Sequence, residues 1–223
     1  MILAIDTSAG TSVALLDEDG TVIAERSTPD TRRHAEVIGS FLAEVLAAAP
    51  DVRGSLTAVA AGIGPGPFTG LRVGLAAARV LALGLGIPVL GVPSHEAVAL
   101  RLLVAGEVAG RFAIVTDARR REVAVPVYVA ALPIPAEAEP AHLVERLALA
   151  PEPGLTVHEV AEIPAVWLAR AAQARSAAGA SFPEAVPLYL RAPDVTLAAP
   201  KRVSACLLYT SPSPRDGLLS RMP

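Results

Sequence analysis

The chain holds one cysteine, Cys206, one lysine, Lys201, and one tryptophan, Trp167, in 223 residues. A lone cysteine excludes an internal disulfide and any zinc site built from several cysteines. Aromatic residues are only 4% against 52% hydrophobic residues in all, so the core must be made of Ala, Val and Leu. A net charge of −3 gives no general signal for binding a polyanion. Uncharged apolar runs stop short of the ~20 residues that span a bilayer. The N-terminus enters an extended apolar run at once, so no signal peptide is expected. The expected location is the cytoplasm, with no membrane contact.

What the chain does have is Gly62-Ile63-Gly64-Pro65-Gly66-Pro67-Phe68-Thr69-Gly70-Leu71-Arg72-Val73-Gly74. It follows a strand-like run, Leu56 to Ala61, and opens a long apolar segment. The reading is strand, loop, helix. Glycines let the backbone approach other groups closely, and Pro65 and Pro67 stiffen the loop. Thr69 is the expected N-cap. Bare N–H groups ahead of a helix N-terminus suit an anion. A rigid turn that sets the helix on a sheet is the equally weighted alternative. The spacing is neither a Walker loop nor GxGxxG after a first strand.

Before this stretch, Ile2 to Ile5 is a strand ending in Asp6-Thr7-Ser8. Ser12 to Leu16 and Thr21 to Ala24 form a hairpin through Asp17-Glu18-Asp19-Gly20. His34 to Ala49 reads as a helix that Pro50 stops. Its apolar residues Val37, Ile38, Phe41, Leu42, Val45 and Leu46 cover about half the circumference, more than one core requires. Glu36, Ser40 and Glu44 mark its wet side. The helix from Gly70 to about Leu85 carries only Arg72 and Arg79 as charges, on one face. Its small residues, Gly74 and Ala76 to Ala78, would admit another backbone. Two adjacent helices with surplus apolar surface suggest docking to another chain through Val37, Phe41, Val45, Leu71, Gly74, Ala77 and Ala78. Burial within the chain's own domain is the competing reading.

Ile87 to Val92 is a further strand, and Pro93-Ser94 starts a helix to about Val104. A break follows at Gly106 to Gly110. Phe112 to Asp117 then echoes Ile2 to Asp6, and each is followed by a turn and a β-rich run. Residues 131–164 read as irregular surface with one short helix, Ala141 to Leu149. Trp167 to Ala178 is a helix, and Ala185 to Arg191 is extended. The text from Cys206 onward has no periodicity and reads as a non-native or disordered tail. The expected divisions are 1–105, 106–205 and 206–223.

The run G-x-G-P-G-x-F-T-G-x-R-x-G, with Ile-Asp-Thr-Ser at 5–8 and Pro-x-Tyr-Leu-Arg at 187–191, resembles the TsaB (YeaZ) family. The resemblance spans about residues 1–191 and is looser in the second half. It implies an α/β, actin/hexokinase-like (RNase H-like) duplicated fold of two lobes, with mixed sheets and flanking helices. It implies a non-catalytic partner of a TsaD-type enzyme that makes threonylcarbamoyladenosine in tRNA. A TsaE-type ATPase is a further implied partner, tRNA is reached through the complex, and self-pairing of the isolated chain stays open. No tightly bound cofactor is expected, ATP and magnesium belonging to the partner complex.

In that superfamily the first turn receives phosphate, so Asp6, Thr7, Ser8, Gly64 and Gly66 form a degenerate nucleotide-binding set. A carboxylate capping its own turn is the alternative for Asp6. The corresponding second turn, Asp117-Ala118-Arg119-Arg120-Arg121, has no glycine to admit phosphate. The late glycines, Gly154 and Gly179, are isolated. No metal pair is legible: His95 is followed by Val98 and Ala99, and His34, His142 and His158 are scattered. The three arginines could contact nucleic-acid phosphate. With Glu122 next and a negative net charge, a solvated turn is favoured. A small-molecule kinase or ATPase of the same fold is the alternative function.

Overall fold

The computed structural model describes residues 1–49, 51–149 and 152–191. Pro50, Lys201, Cys206 and the expected tail lie outside the described residues.

Strand β1 (Ile2–Asp6) is buried along its whole length because it runs down the middle of a sheet. On one side β2 (Thr11–Leu16) pairs with it antiparallel, and on the other β4 (Ala58–Gly62) pairs parallel. The edges are β3 (Val22–Thr28) and β5 (Val89–Val92), giving the order β3-β2-β1-β4-β5. Side chains alternate between faces along each strand. Leu3, Ile5, Val13, Leu15, Val59 and Ala61 face α1 (His34–Ala47) and α3 (Phe68–Leu85). A single turn, α2 (Val52–Ser55), leads into β4. Ile2, Ala4, Ala14, Leu16, Ala58 and Ala60 face the other way, onto α4 (Ser94–Val104) and α5 (Ala165–Ala177).

The second sheet repeats the plan. Its centre, β6 (Arg111–Asp117), pairs antiparallel with β7 (Glu122–Val129) and parallel with β9 (Leu155–Glu159). Beyond β7 lies β8 (Ala136–Glu145), so the order is β8-β7-β6-β9, one parallel strand short of the first sheet. β1 and β6 hold equivalent places in separate sheets. The fold is the duplicated actin/hexokinase-like, RNase H-like one. One core joins the two sheets, since Phe112, Ile114 and Tyr128 pack with α4 and α5. The glycine break lies between α4 and β6, while α5 returns to pack on β1 and β2.

Two local expectations change. The stretch 141–149 is the end of β8 and a 3-10 turn, Arg146–Ala148, rather than a helix. Val144 and His142 are held in register opposite Val123 and Val125, so pairing with β7 overrides the local helical preference. Pro126 sits where that register shifts, at a bulge, because it has no N–H for the ladder. Helix α3 starts at Phe68 behind Pro67, with no side-chain cap, so Thr69 lies in the first turn rather than at the N-cap. By length and composition α3 could cross a membrane. Its stripe of Gly70, Leu71, Gly74, Leu75, Ala78 and Ala82 is instead buried.

Candidate functional site

The turn after β1 carries Asp6, Thr7 and Ser8, which are 1%, 1% and 4% exposed. Ser8 donates its backbone N–H and its hydroxyl to Asp6 Oδ1, at 2.8 and 2.5 Å. Ser94, at the start of α4, donates its hydroxyl to Asp6 Oδ2 at 2.5 Å. Gly64 N–H in turn donates to Ser94 Oγ at 3.0 Å, and Ser94 N–H to Gly64 O at 2.9 Å. Thr7 donates its hydroxyl to Gly70 O at 2.8 Å and accepts from Gly74 N–H at 3.1 Å. Burial pushes the Asp6 carboxyl above its ordinary value, and the hydrogen bonds from Ser8 and Ser94 oppose that shift.

The glycine loop is therefore seated on this turn. A methyl group added at Gly66 would lie 2.7 Å from Ser8 Cα, and one at Gly74 would lie 2.3 Å from Thr7 Oγ1. The close approach that glycine permits is made to the chain's own backbone and hydroxyls. The structure gathers the candidate nucleotide-binding set Asp6, Thr7, Ser8, Gly64 and Gly66 in one place, where they also contact one another. Asp6 Oδ1 accepts two hydrogen bonds and Oδ2 one. Among the described residues no three His, Cys, Asp or Glu side chains converge.

Two histidines lie inside. His34, 5% exposed, shares a 2.9 Å hydrogen bond between Nδ1 and Thr11 Oγ1. Desolvation, and next the Arg119 charge, hold it below the usual imidazole value. His95 shares a 2.8 Å bond between Nε2 and Thr116 Oγ1, and burial lowers its pKa to about 3. Glu96 is clasped by Arg175 of α5 through both carboxylate oxygens. The helix that follows Pro93 thus spends Ser94, His95 and Glu96 on joining β1, β6 and α5.

The proposed docking residues divide. Val45, Leu71 and Ala78 have no exposed surface, and Gly74 is buried against Thr7. Val37, Phe41 and Ala77 are half-buried, and the last two pack on the first sheet's core. This corrects the face assignment: the i, i+3, i+4 stripe through 70, 71, 74, 75, 78 and 82 is the inward one. The outward stripe of α3 carries Arg72, Ala76, Arg79, Val80 and Leu83. Val80 is 71% and Leu83 85% exposed. Sequence reasoning missed both, because an almost uniformly apolar helix does not reveal which side meets the sheet.

An irregular segment, 183–190, with a bend at Ala185-Val186, lies along the same helix. Arg79 donates to Ala185 O at 2.6 Å, and Leu188 N–H donates to Ile63 O at 2.7 Å. Arg72 Nε donates to the Tyr189 hydroxyl at 2.9 Å while its guanidinium sits 3.6 Å from the Phe68 ring centroid. Phe68 and Tyr189 stack at 4.6 Å. The two arginines of α3 therefore fasten the chain's later segment onto the glycine loop.

A family model described as TsaD, tRNA N6-adenosine threonylcarbamoyltransferase, matches residues 21–187. An uncharacterized protein of Mycobacterium tuberculosis is 45% identical over 124 residues, covering 55% of this chain and 56% of that protein. The tRNA threonylcarbamoyladenosine biosynthesis protein TsaB of Escherichia coli is 38% identical over 91 residues, 41% of this chain and 39% of that one. The chain thus spans about half, or less, of the length of these curated relatives. The solved structure of YeaZ from Pseudomonas aeruginosa superposes with a TM-score of 0.70 at 27% identity, covering 85% of this chain and 99% of that one.

Proposed function

The chain belongs to the TsaD family, tRNA N6-adenosine threonylcarbamoyltransferase, with TsaB/YeaZ proteins of tRNA threonylcarbamoyladenosine biosynthesis as its named relatives, and from that premise we propose that it is a non-catalytic partner subunit. It binds a TsaD-type catalytic subunit and supports transfer of threonylcarbamoyl to N6 of the adenosine beside the tRNA anticodon. The observation that carries this reading is the Asp6 turn. Its carboxylate is buried, both oxygens accept hydrogen bonds from Ser8 and Ser94, and the glycine loop packs on it. A kinase or ATPase of this fold needs that carboxylate turned to a nucleotide, so the catalytic alternative is not favoured.

Docking would use the outward side of α3. Val80 and Leu83 are large apolar residues on a regular helix face, and covering them removes apolar surface from water. ATP and magnesium would belong to the partner complex, a TsaE-type ATPase would join it, and the complex would work in the cytoplasm. Pairing with a second copy would use the same face when the partner is absent.

Co-purification with the TsaD-type protein of the same genome tests the proposal. Stoichiometric capture, with no Mg-ATP turnover by the isolated chain, is the expected result. Micromolar Mg-ATP binding with turnover by the isolated chain would restore the catalytic alternative.

A further inference from the structure

Two exposed arginines on the outward side of α3 are already held in place by the chain itself. Arg72 and Arg79 stand about two helical turns apart, roughly 10 Å along the axis. The Arg72 guanidinium rests 3.6 Å from the Phe68 ring centroid, and its Nε donates to the Tyr189 hydroxyl at 2.9 Å. Arg79 Nη2 donates to Ala185 O at 2.6 Å. Both acceptors are neutral. Among the described residues no carboxylate, Glu184 of the same segment included, stands within ion-pair distance of either guanidinium. The carboxylates of the neighbouring helix α1 are already taken: Glu36 pairs with Arg33 at 2.7 Å and Glu44 with Arg26 at 2.6 Å.

A guanidinium is a planar fork of N–H donors that matches a carboxylate through two parallel bonds. Each fork here spends a single N–H on its neutral acceptor, so donors remain for a second one. A long side chain loses rotamer freedom when a partner fixes it. The segment 183–190 has already fixed both, so that cost is met in folding and not in docking. Along the same stripe lie Ala76, Val80 and Leu83, the last two 71% and 85% exposed. Arginine beside an aromatic ring, next to apolar side chains that a partner can cover, is the composition of a dominant interface contact.

We propose that Arg72 and Arg79 are the charged anchors of the partner-docking face, and that what docks there is an acidic surface of the TsaD-type subunit. Its carboxylates stand about 10 Å apart, opposite the two guanidiniums, and its apolar side chains cover Val80 and Leu83. The inference rests on the reading that this chain docks a TsaD-type subunit through α3. It adds the chemistry of the partner's surface, and it gives the segment 183–190 the task of positioning the two arginines. Such docking weakens as salt screens the charges.

The test is titration calorimetry of the chain with the TsaD-type subunit of the same genome at low and high salt. The combined Arg72→Gln, Arg79→Gln variant should bind about tenfold more weakly or worse at low salt, and its affinity should depend less on salt than that of the native chain. Tyr189→Phe keeps the ring that stacks on Phe68 and removes the acceptor that orders Arg72. It should weaken binding by a smaller factor, with an unchanged melting temperature. Arg111→Gln, on the second sheet, should bind as the native chain does. A native chain that binds, beside a double variant that binds equally well, would overturn the inference and leave the proposed function standing. A loss that is the same at every salt concentration would make the two arginines fasteners of the segment only, and would also overturn it. So would an equal loss in Arg111→Gln. Loss of self-association in the double variant, with unchanged affinity for the subunit, would assign the arginines to a second copy of the chain and overturn it as well. A native chain that does not bind the subunit at either salt concentration removes the proposed function and this inference together.

Discussion

Replacing Asp6 with Ala should unfold the chain at markedly lower temperature without abolishing any nucleotide chemistry. The carboxylate accepts three hydrogen bonds: Ser8 N–H, Ser8 hydroxyl and Ser94 hydroxyl. Alanine leaves the Ser8 N–H buried without that acceptor, which costs about 1–3 kcal/mol. The two hydroxyls can rotate, and each loses about 1 kcal/mol. Removing a carboxylate that burial already disfavours returns part of this. The net loss is about 2–4 kcal/mol. At ~2–4 °C per kcal/mol for a chain of this size, the melting temperature should fall by roughly 5–15 °C. Asp6→Asn keeps one acceptor for Ser8 and should cost less. The raised folded-state pKa fixes a sign: Asp6 favours the fold below the unfolded carboxylate value and loses that favour as pH rises through the folded value. The stability difference between the native chain and Asp6→Asn should therefore shift toward the native chain as pH is lowered. Urea denaturation at several pH values reads both effects. An Asp6→Ala chain that melts within a degree of the native one would refute the reasoning, because the turn would then carry no structural load.

Gly74→Ala and Gly84→Ala should move stability in opposite directions in the same helix. The first places a methyl 2.3 Å from Thr7 Oγ1 and should cost about 1–3 kcal/mol, while the second meets open space and should gain up to about 1 kcal/mol, both by thermal denaturation. His95, with a pKa lowered to about 3, stays neutral in the fold while the unfolded chain protonates below ~6.5. Its contribution is complete above that value and is lost as pH falls. Stability between pH 6 and 4 should thus fall about 1.4 kcal/mol per pH unit more steeply than in His95→Gln. Parallel pH profiles would mean that His95 reaches solvent.

Much of the fold was legible in the sequence, because alternation and turn chemistry are local. The hairpin at Asp17–Gly20 and the echo of Ile2–Asp6 in Phe112–Asp117 both lead directly to the two sheets. The strand β8 was not legible, since Pro140, Glu145 and the alanines there take their conformation from pairing with β7. The candidate site was half legible. Asp6, Thr7, Ser8 and the glycine loop do meet, but the sequence left open whether they meet a ligand or one another. Ser94 completes the cluster, and its 88-residue separation from Asp6 gave no signal. The docking face was misplaced for a related reason. The inward stripe of α3 is made of glycine and small residues because Thr7 and His34 press on it, and small residues read equally well as an interface.

The most direct test of the central claim is the affinity of the TsaD-type subunit for Leu83→Glu, measured by titration calorimetry beside the native chain. Leu83 is 85% exposed, so the charge is harmless to the isolated chain and its melting temperature should not move. Buried in a complex, an unpaired carboxylate costs several kcal/mol. At about 1.4 kcal/mol per tenfold, that is a loss of roughly a hundredfold or more. The account predicts a stable Leu83→Glu chain that no longer holds the catalytic subunit. A stable Leu83→Glu chain that binds it as tightly as before would contradict the account.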